Sequence, residues 1–201
     1  MKRNLAILLA SLLLIAAAVV AGSGKNEGEI PAPPTIGATI DDFTLPDVDS
    51  KDQSLKALAG KKGTVLLFIS VQFPVSNAYN ERMEKIAQEF KSKGISVIGI
   101  NANASEDAAT VKAHAAEKSL TFNILKDPGN KIADRLGATR TPEAYLLDGN
   151  NKLVYHGRID NNQNASLIES SDLRVAIEAL LAGKPVEKSE AKAFGCSIKR
   201  A

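Results

Sequence analysis

Residues 64–90, TVLLFISVQFPVSNAYNERMEKIAQEF, restrict the fold more than any other stretch of this chain. Val65, Leu66, Leu67, Phe68 and Ile69 form an apolar run of strand length with no polar alternation, so both faces of such a strand must be covered. The run breaks at residues 70–74. Beyond the break Tyr79, Met83, Ile86, Ala87 and Phe90 recur at helical spacing and predict an amphipathic helix. Pro74 marks the helix start, because the first N–H of a helix has no intrahelical partner to lose. Helix starts also collect free N–H groups and the positive end of the dipole, so a thiol there would ionise readily. The chain places Phe73 at that point instead.

The remaining elements follow in order. Phe43 and Leu45 alternate through a short strand, and Ser54 offers an N-cap for one helical turn ending at Gly60. ISVIGINAN (95–103) reads as a second buried strand, and a helix between two apolar runs implies a parallel pair with a right-handed crossover. Ser105 is expected to cap the next helix, with Glu106 and Asp107 in its first turn and Val111, Ala115 and Leu120 facing inward. Residues 122–125 read as an extended segment, and NKIADRLGA (130–138) as a short helix closed by Gly137. Residues 144–147 and 152–159 predict a hairpin through Asp148, Gly149, Asn150 and Asn151. The last helix is expected to start at Ser171 as cap, bury Leu173, Ile177, Leu180 and Leu181, and stop at Gly183 and Pro185. Parallel strands with a crossover helix, then a hairpin and a terminal helix, give an α/β fold. No internal repeat is present.

Two motifs carry a resemblance: PVSNAYNERM at 74–83 and TRTP at 139–142. With the element order, they resemble the thioredoxin-like redoxins, the superfamily that includes peroxiredoxins of the alkyl hydroperoxide reductase and thiol-specific antioxidant type. The likeness is to a peroxiredoxin-like subgroup carrying cysteine followed by PVSN and AYNERM or similar, and it spans residues 36–199. It implies a thioredoxin-like fold with a central mixed sheet flanked by helices. It also places the family's nucleophilic cysteine at position 73 and the second cysteine of a CxxC at 76, where this chain has Phe73 and Ser76. The threonine that peroxiredoxins carry a few residues earlier is absent from Ser70-Val71-Gln72. The Thr141–Pro142 bond is expected to be cis by the same likeness, presenting the Thr141 backbone to whatever lies beside Phe73. AFGCSIK (193–199) resembles a C-terminal segment of the subgroup, whose cysteine would pair with the turn cysteine in relatives.

Segment boundaries are expected at 1–21 for a signal peptide, 22–35 for a linker, 36–185 for the redoxin domain and 186–201 for a tail containing Cys196. Lys2 and Arg3 precede an apolar run at 5–21 that ends in small residues, the pattern of an export signal. As a helix the run is about 25 Å long against a hydrocarbon core of about 30 Å, so an uncleaved tether is the other reading. Periplasmic or extracellular placement follows from either. Removing Lys2 and Arg3 lowers 25 basic residues to 23 against 23 acidic ones, which gives no basis for nucleic-acid binding.

Cys196 is the only cysteine, so no intramolecular disulfide can form, and the thiol is free, paired with another molecule, or buried. Lys192, Lys199 and Arg200 flank it and would favour the thiolate if close in space. Phenylalanine cannot ionise or leave from a mixed disulfide, and the Ser76 hydroxyl lacks thiol acidity with no histidine base in its motif. Phe73 therefore either fills the hollow beside Pro142 or, with Thr141, offers an apolar spot for an extended peptide or small ligand. Arg82 reads as a partner in a surface ion pair three or four residues away. His114 and His156 have no metal-ligand spacing, and no metal or cofactor is expected. Asn103 and Asn164 stand in Asn-x-Ser triplets. The expected function is that of an exported redoxin of thiol-disulfide oxidoreductase lineage, silent at the usual site and keeping its fold for binding a protein or peptide. The alternative is an antioxidant oxidoreductase or peroxidase acting through Cys196, including through an intermolecular disulfide.

Overall fold

A strand without a polar face is stable only where a sheet covers its edges and helices cover its faces. The computed structural model describes residues 30–200. The segment read as an export signal lies outside the described residues. β1 (Thr44–Pro46) and β2 (Asp52–Ser54) form a small antiparallel hairpin that leads into α1 (Leu55–Leu58), where Ser54 Oγ accepts from the Ala57 N–H at 3.0 Å as its cap. β3 (Gly63–Phe68) is buried at every position. It lies between parallel β4 (Ile95–Asn101) and antiparallel β7 (Glu143–Asp148). β5 (Asn123–Lys126) extends the sheet beyond β4, and β8 (Leu153–Gly157) extends it beyond β7.

The faces of β3 divide the interior by the period of two that a strand imposes. Val65 and Leu67 join Met83, Phe90, Leu173 and Ile177 on one side. Leu66 and Phe68 join Ile98, Ile100, Tyr145 and Leu147 on the other. The first side is covered by α3 (Asn80–Lys91) and α6 (Asp172–Leu181), the second partly by α5 (Lys131–Arg135). The apolar positions read from the helical spacing are all buried: Tyr79, Met83, Ile86, Ala87 and Phe90.

The helix itself is interrupted. α2 (Pro74–Asn77) ends at Ala78, and α3 begins after Tyr79. The Tyr79 N–H reaches back three residues to the Ser76 carbonyl at 3.0 Å, the tighter turn that closes α2 and redirects the chain. Beyond β4, α4 (Ala108–Glu117) is capped by Asp107, whose carboxylate accepts from the Thr110 N–H at 2.7 Å. Ser105 is exposed and does not cap it, and Glu106 turns inward rather than joining the first turn. Ser171 stands at the N-cap of α6 without a side-chain capping bond. Asp172 holds that end instead, pairing with Arg158 Nε at 2.7 Å and Lys188 Nζ at 2.5 Å.

The ends of the described chain are docked. Residues 30–35 carry no helix or strand, but Pro31, Ala32 and Pro33 lie so close to Gly137 that an added β carbon would stand 2.5 Å from the Pro31 carbonyl. After α6, β9 (Glu190–Ala191) pairs in parallel with β8. β10 (Cys196–Ser197) then pairs antiparallel with β6 (Arg140–Thr141), so the aperiodic tail contributes two short strands. Among the described residues no helix is long and apolar enough to cross a membrane.

Burial raises the Asp172 pKa, but hydrogen bonds from Arg158, Lys188 and Ser170 outweigh it and hold the carboxyl at about 2 against an ordinary 3.8. A depressed folded-state pKa contributes stability that is full above the unfolded value and is lost as pH falls through the folded one. Between about pH 4 and pH 2 the protein therefore loses the stability that this group contributes. Urea titrations across that range check this: Asp172→Asn is expected to be less stable at neutral pH and to show a flatter acid limb than wild type.

Candidate functional site

At the end of β3 the chain must turn into α2 while leaving backbone N–H groups in an interior without water, and such groups need protein acceptors. A single carboxylate supplies two of them and fixes the serine hydroxyl that supplies another. Glu106 is 1% exposed and accepts from Ser70 Oγ at 2.5 Å, the Val71 N–H at 3.0 Å, the Gln72 N–H at 3.2 Å and Asn101 Nδ2 at 2.5 Å. Ser70 Oγ in turn accepts from the Phe73 N–H at 3.1 Å. Ser76 Oγ accepts from the Ser70 N–H at 2.9 Å and is fully buried, so that hydroxyl serves the turn. Asn77 Nδ2 donates to the Val71 carbonyl at 3.0 Å. Phe73 is the N-cap residue of α2, half-buried, with Pro74 at the first helical position.

Asn101 extends the network inward. Its carbonyl oxygen accepts from Lys126 Nζ, which also donates to the Glu106 carbonyl and to the Asn103 carbonyl at 3.3 Å. Burial pushes the Lys126 ammonium pKa down, against the opposing field of Glu106.

The Thr141–Pro142 peptide is cis. Phe68 of β3 stands opposite Glu143, so the chain leaving β3 at Ser70 and the chain entering β7 through Thr141 share one end of the sheet. Glu143, 3% exposed, braces this entrance through all its lone pairs. Oε2 accepts from the Thr139 and Arg140 N–H groups, both at 2.9 Å. Oε1 meets His156 Nε2 at 2.7 Å and accepts from the Tyr145 hydroxyl at 3.1 Å. Burial raises the Glu143 pKa, but the His156 bond and the two backbone donors overcome it and hold the carboxyl low.

Cys196 stands in register opposite Thr141, and Ser197 opposite Arg140. The backbone of Thr141, expected to lie open for a peptide, is therefore already paired with the tail. The cysteine is half-buried. Of the basic residues that flank it in sequence, Arg200 is turned away to Asp134 at 2.8 Å. Arg140 instead reaches the tail, donating to the Gly195 carbonyl and Ser197 Oγ, each at 3.3 Å. Thr141 Oγ1 is buried with no hydrogen-bond partner among the described residues.

Arg82 does not make the expected short-range surface pair. It bonds Asp160 at 2.7 Å with its side chain 15% exposed, donates to the Asn162 and Gln163 carbonyls, and lies 3.6 Å over the Tyr79 ring. Tyr79 donates to the same carboxylate at 2.9 Å, and burial with that charge pushes its phenol pKa up. His114 of α4 meets Asn80 of α3 at 2.9 Å. Among the described residues no three His, Cys, Asp or Glu side chains gather as a metal cage.

The sequence does not mark Glu106 or Glu143 as site residues, and Asp160, in a polar loop that follows a strand, reads there as turn chemistry. A signal existed for Glu143, an acid within the apolar run PEAYLL. Glu106 carried none, since an acid beside a helix start is ordinarily explained by the dipole.

The sequence model of the AhpC/TSA family matches residues 36–156. Chloroplastic peroxiredoxin Q of Sedum lineare is 31% identical over 133 residues, covering 62% of this chain and 70% of the relative. The thiol-disulfide oxidoreductase ResA of Halalkalibacterium halodurans is 30% identical over 112 residues, covering 56% of this chain and 62% of that protein. Among solved structures, a hypothetical protein of Sinorhizobium meliloti superposes with a TM-score of 0.77 at 30% identity, covering 84% of this chain and 96% of the other. An uncharacterized conserved protein of Geobacillus kaustophilus does so with a TM-score of 0.77 at 28% identity, covering 87% and 94%.

Replacing Glu106 by glutamine puts an amide donor where four donors already converge. Glu106→Gln is expected to lower stability by about 1–3 kcal/mol in urea denaturation, and an unchanged midpoint would remove the carboxylate from its place as organiser of the turn.

Proposed function

The chain belongs to the AhpC/TSA family of thioredoxin-like redoxins, and from that footing we propose that it is an exported member whose usual redox turn is silent and whose fold is kept for binding. One observation carries the reading: the strand-to-helix turn holds a hydrocarbon ring at Phe73, and the hydroxyl of Ser76 is consumed by the Ser70 N–H. Dithiol exchange needs a sulfur that ionises and can leave, and peroxide reduction needs one that accepts oxygen. No atom of residues 70–77 does either. Position 73 is where the resemblance to the family puts its nucleophile, and Phe73 stands at the sheet end shared by Thr141 and Pro142. Export rests on the basic start and apolar run of the sequence, with the mature protein periplasmic or extracellular, or tethered if the run is uncleaved.

A second reading has its own support. Cys196, the only thiol of the chain, is half-buried and stands in register opposite Thr141, the residue before Pro142, so a sulfur does lie at this end of the sheet.

Hydroperoxide consumption and insulin disulfide reduction separate the two. Wild type is expected to stay at background in both assays. Phe73→Cys is expected to gain hydroperoxide-dependent thiol oxidation at the turn, its thiolate fraction at pH 7 rising roughly tenfold over that of free cysteine. Turnover by wild type that disappears in Cys196→Ala would replace the first reading with the second.

A further inference from the structure

The tail closes an edge, and the way it is fastened says how it behaves. Two residue pairs join β10 to β6, and the Ile198 N–H continues the ladder to the Thr139 carbonyl at 3.0 Å. Beyond them the Lys199 N–H donates to Asn103 Oδ1 at 2.8 Å, and the Ala104 N–H donates to the Lys199 carbonyl at 2.9 Å. Arg200 ends the segment with bonds to Asp134 at 2.8 Å and to the Ala138 carbonyl at 2.7 Å. Gly195 admits it: φ is +152° there, and a β carbon would stand 2.2 Å from the Thr141 carbonyl oxygen.

The fastening is mostly polar. Ile198 is the one side chain of residues 195–200 within the buried core, and the Arg200–Asp134 pair is partly exposed, at 24% and 46% of the two side chains. Segments with few buried apolar contacts and backbone bonds near the surface open at far lower cost than the whole molecule. Yet this segment covers a strand edge whose exposure would leave Thr139 and Thr141 backbone groups ready to pair with another chain.

We propose that residues 195–200 are a self-bound strand that keeps the Thr141 edge of β6 closed and detaches as a unit while the rest of the fold stays intact. The consequence is an edge with two states: paired with its own chain, or free. This holds whether or not the turn at Phe73 is silent, because it depends on backbone pairing and on no redox step.

Cys196 is a built-in reporter, since the chain has no other thiol. Alkylation of the full-length protein by iodoacetamide, followed by mass spectrometry, follows the opening through the change in rate when the segment is loosened. Wild type is expected to react at least about tenfold more slowly than the urea-unfolded chain, at a rate that does not change with urea well below the unfolding transition. Arg200→Ala removes a rim contact and is expected to raise the rate about fivefold. Gly195→Ala, which cannot fit against Thr141, is expected to approach the unfolded-chain rate with its far-ultraviolet circular dichroism unchanged. The proposal is overturned if wild type labels as fast as the unfolded chain, if its rate climbs with urea in step with global unfolding, or if Arg200→Ala labels as slowly as wild type. Insulin and hydroperoxide assays do not enter this test, so its outcome and that of the redox reading are independent.

Discussion

Few groups are costlier to hide from water than a carboxylate, and it stays hidden only where donors surround it. Glu106 meets that condition with two backbone N–H groups, a serine hydroxyl and an asparagine amide, and three of those donors belong to residues 70–72. The turn between β3 and α2 has its shape because those residues must point at Glu106. Phe73 is carried to the start of α2 by that demand, its own N–H held by the same serine that Glu106 holds. Glu143 plays the matching part across the sheet end, satisfying Thr139 and Arg140 so that β6 presents an edge. Two buried acids thus build the two banks of the candidate site, and neither is placed to react with anything.

This separates scaffold from chemistry. The redoxin fold supplies a turn, an X-Pro bond and a paired edge at one end of a sheet, and none of these requires a sulfur to form. With an aromatic ring at 73, the backbone N–H groups of residues 70–73 all find acceptors without a thiol. A binding role at this end must then contend with the tail, which holds the edge from within.

Much of this was legible in the sequence because it rests on short-range patterns. The apolar run of β3, the helical spacing of Met83, Ile86 and Phe90, the Asp148–Asn151 hairpin and the Ser54 cap are local statements, and each is found where the pattern puts it. What could not be read is the work of residues distant in sequence. Arg82 meets Asp160 seventy-eight positions away, and Cys196 faces Thr141 through a tail that has no periodicity. Ser105 and Ser171 were reasonable caps on local grounds, yet Asp107 caps one helix and Asp172 anchors the start of the other through tertiary partners. A two-residue strand leaves no pattern, since its stability comes from a partner strand that the local sequence does not describe.

The bridge made by Asn101 has a consequence for how this chain can diverge. Its amide nitrogen faces the Glu106 carboxylate while its carbonyl faces the Lys126 ammonium, so one side chain is read in opposite senses by a buried charge and a half-buried one. Replacing any one of the three leaves the other two mismatched, and converting all three to hydrocarbon would still leave the Val71 and Gln72 N–H groups without the acceptor that Glu106 supplies. Descendants should therefore inherit this trio whole, and a lineage in which one member has drifted would carry a scar elsewhere in the same layer of the fold.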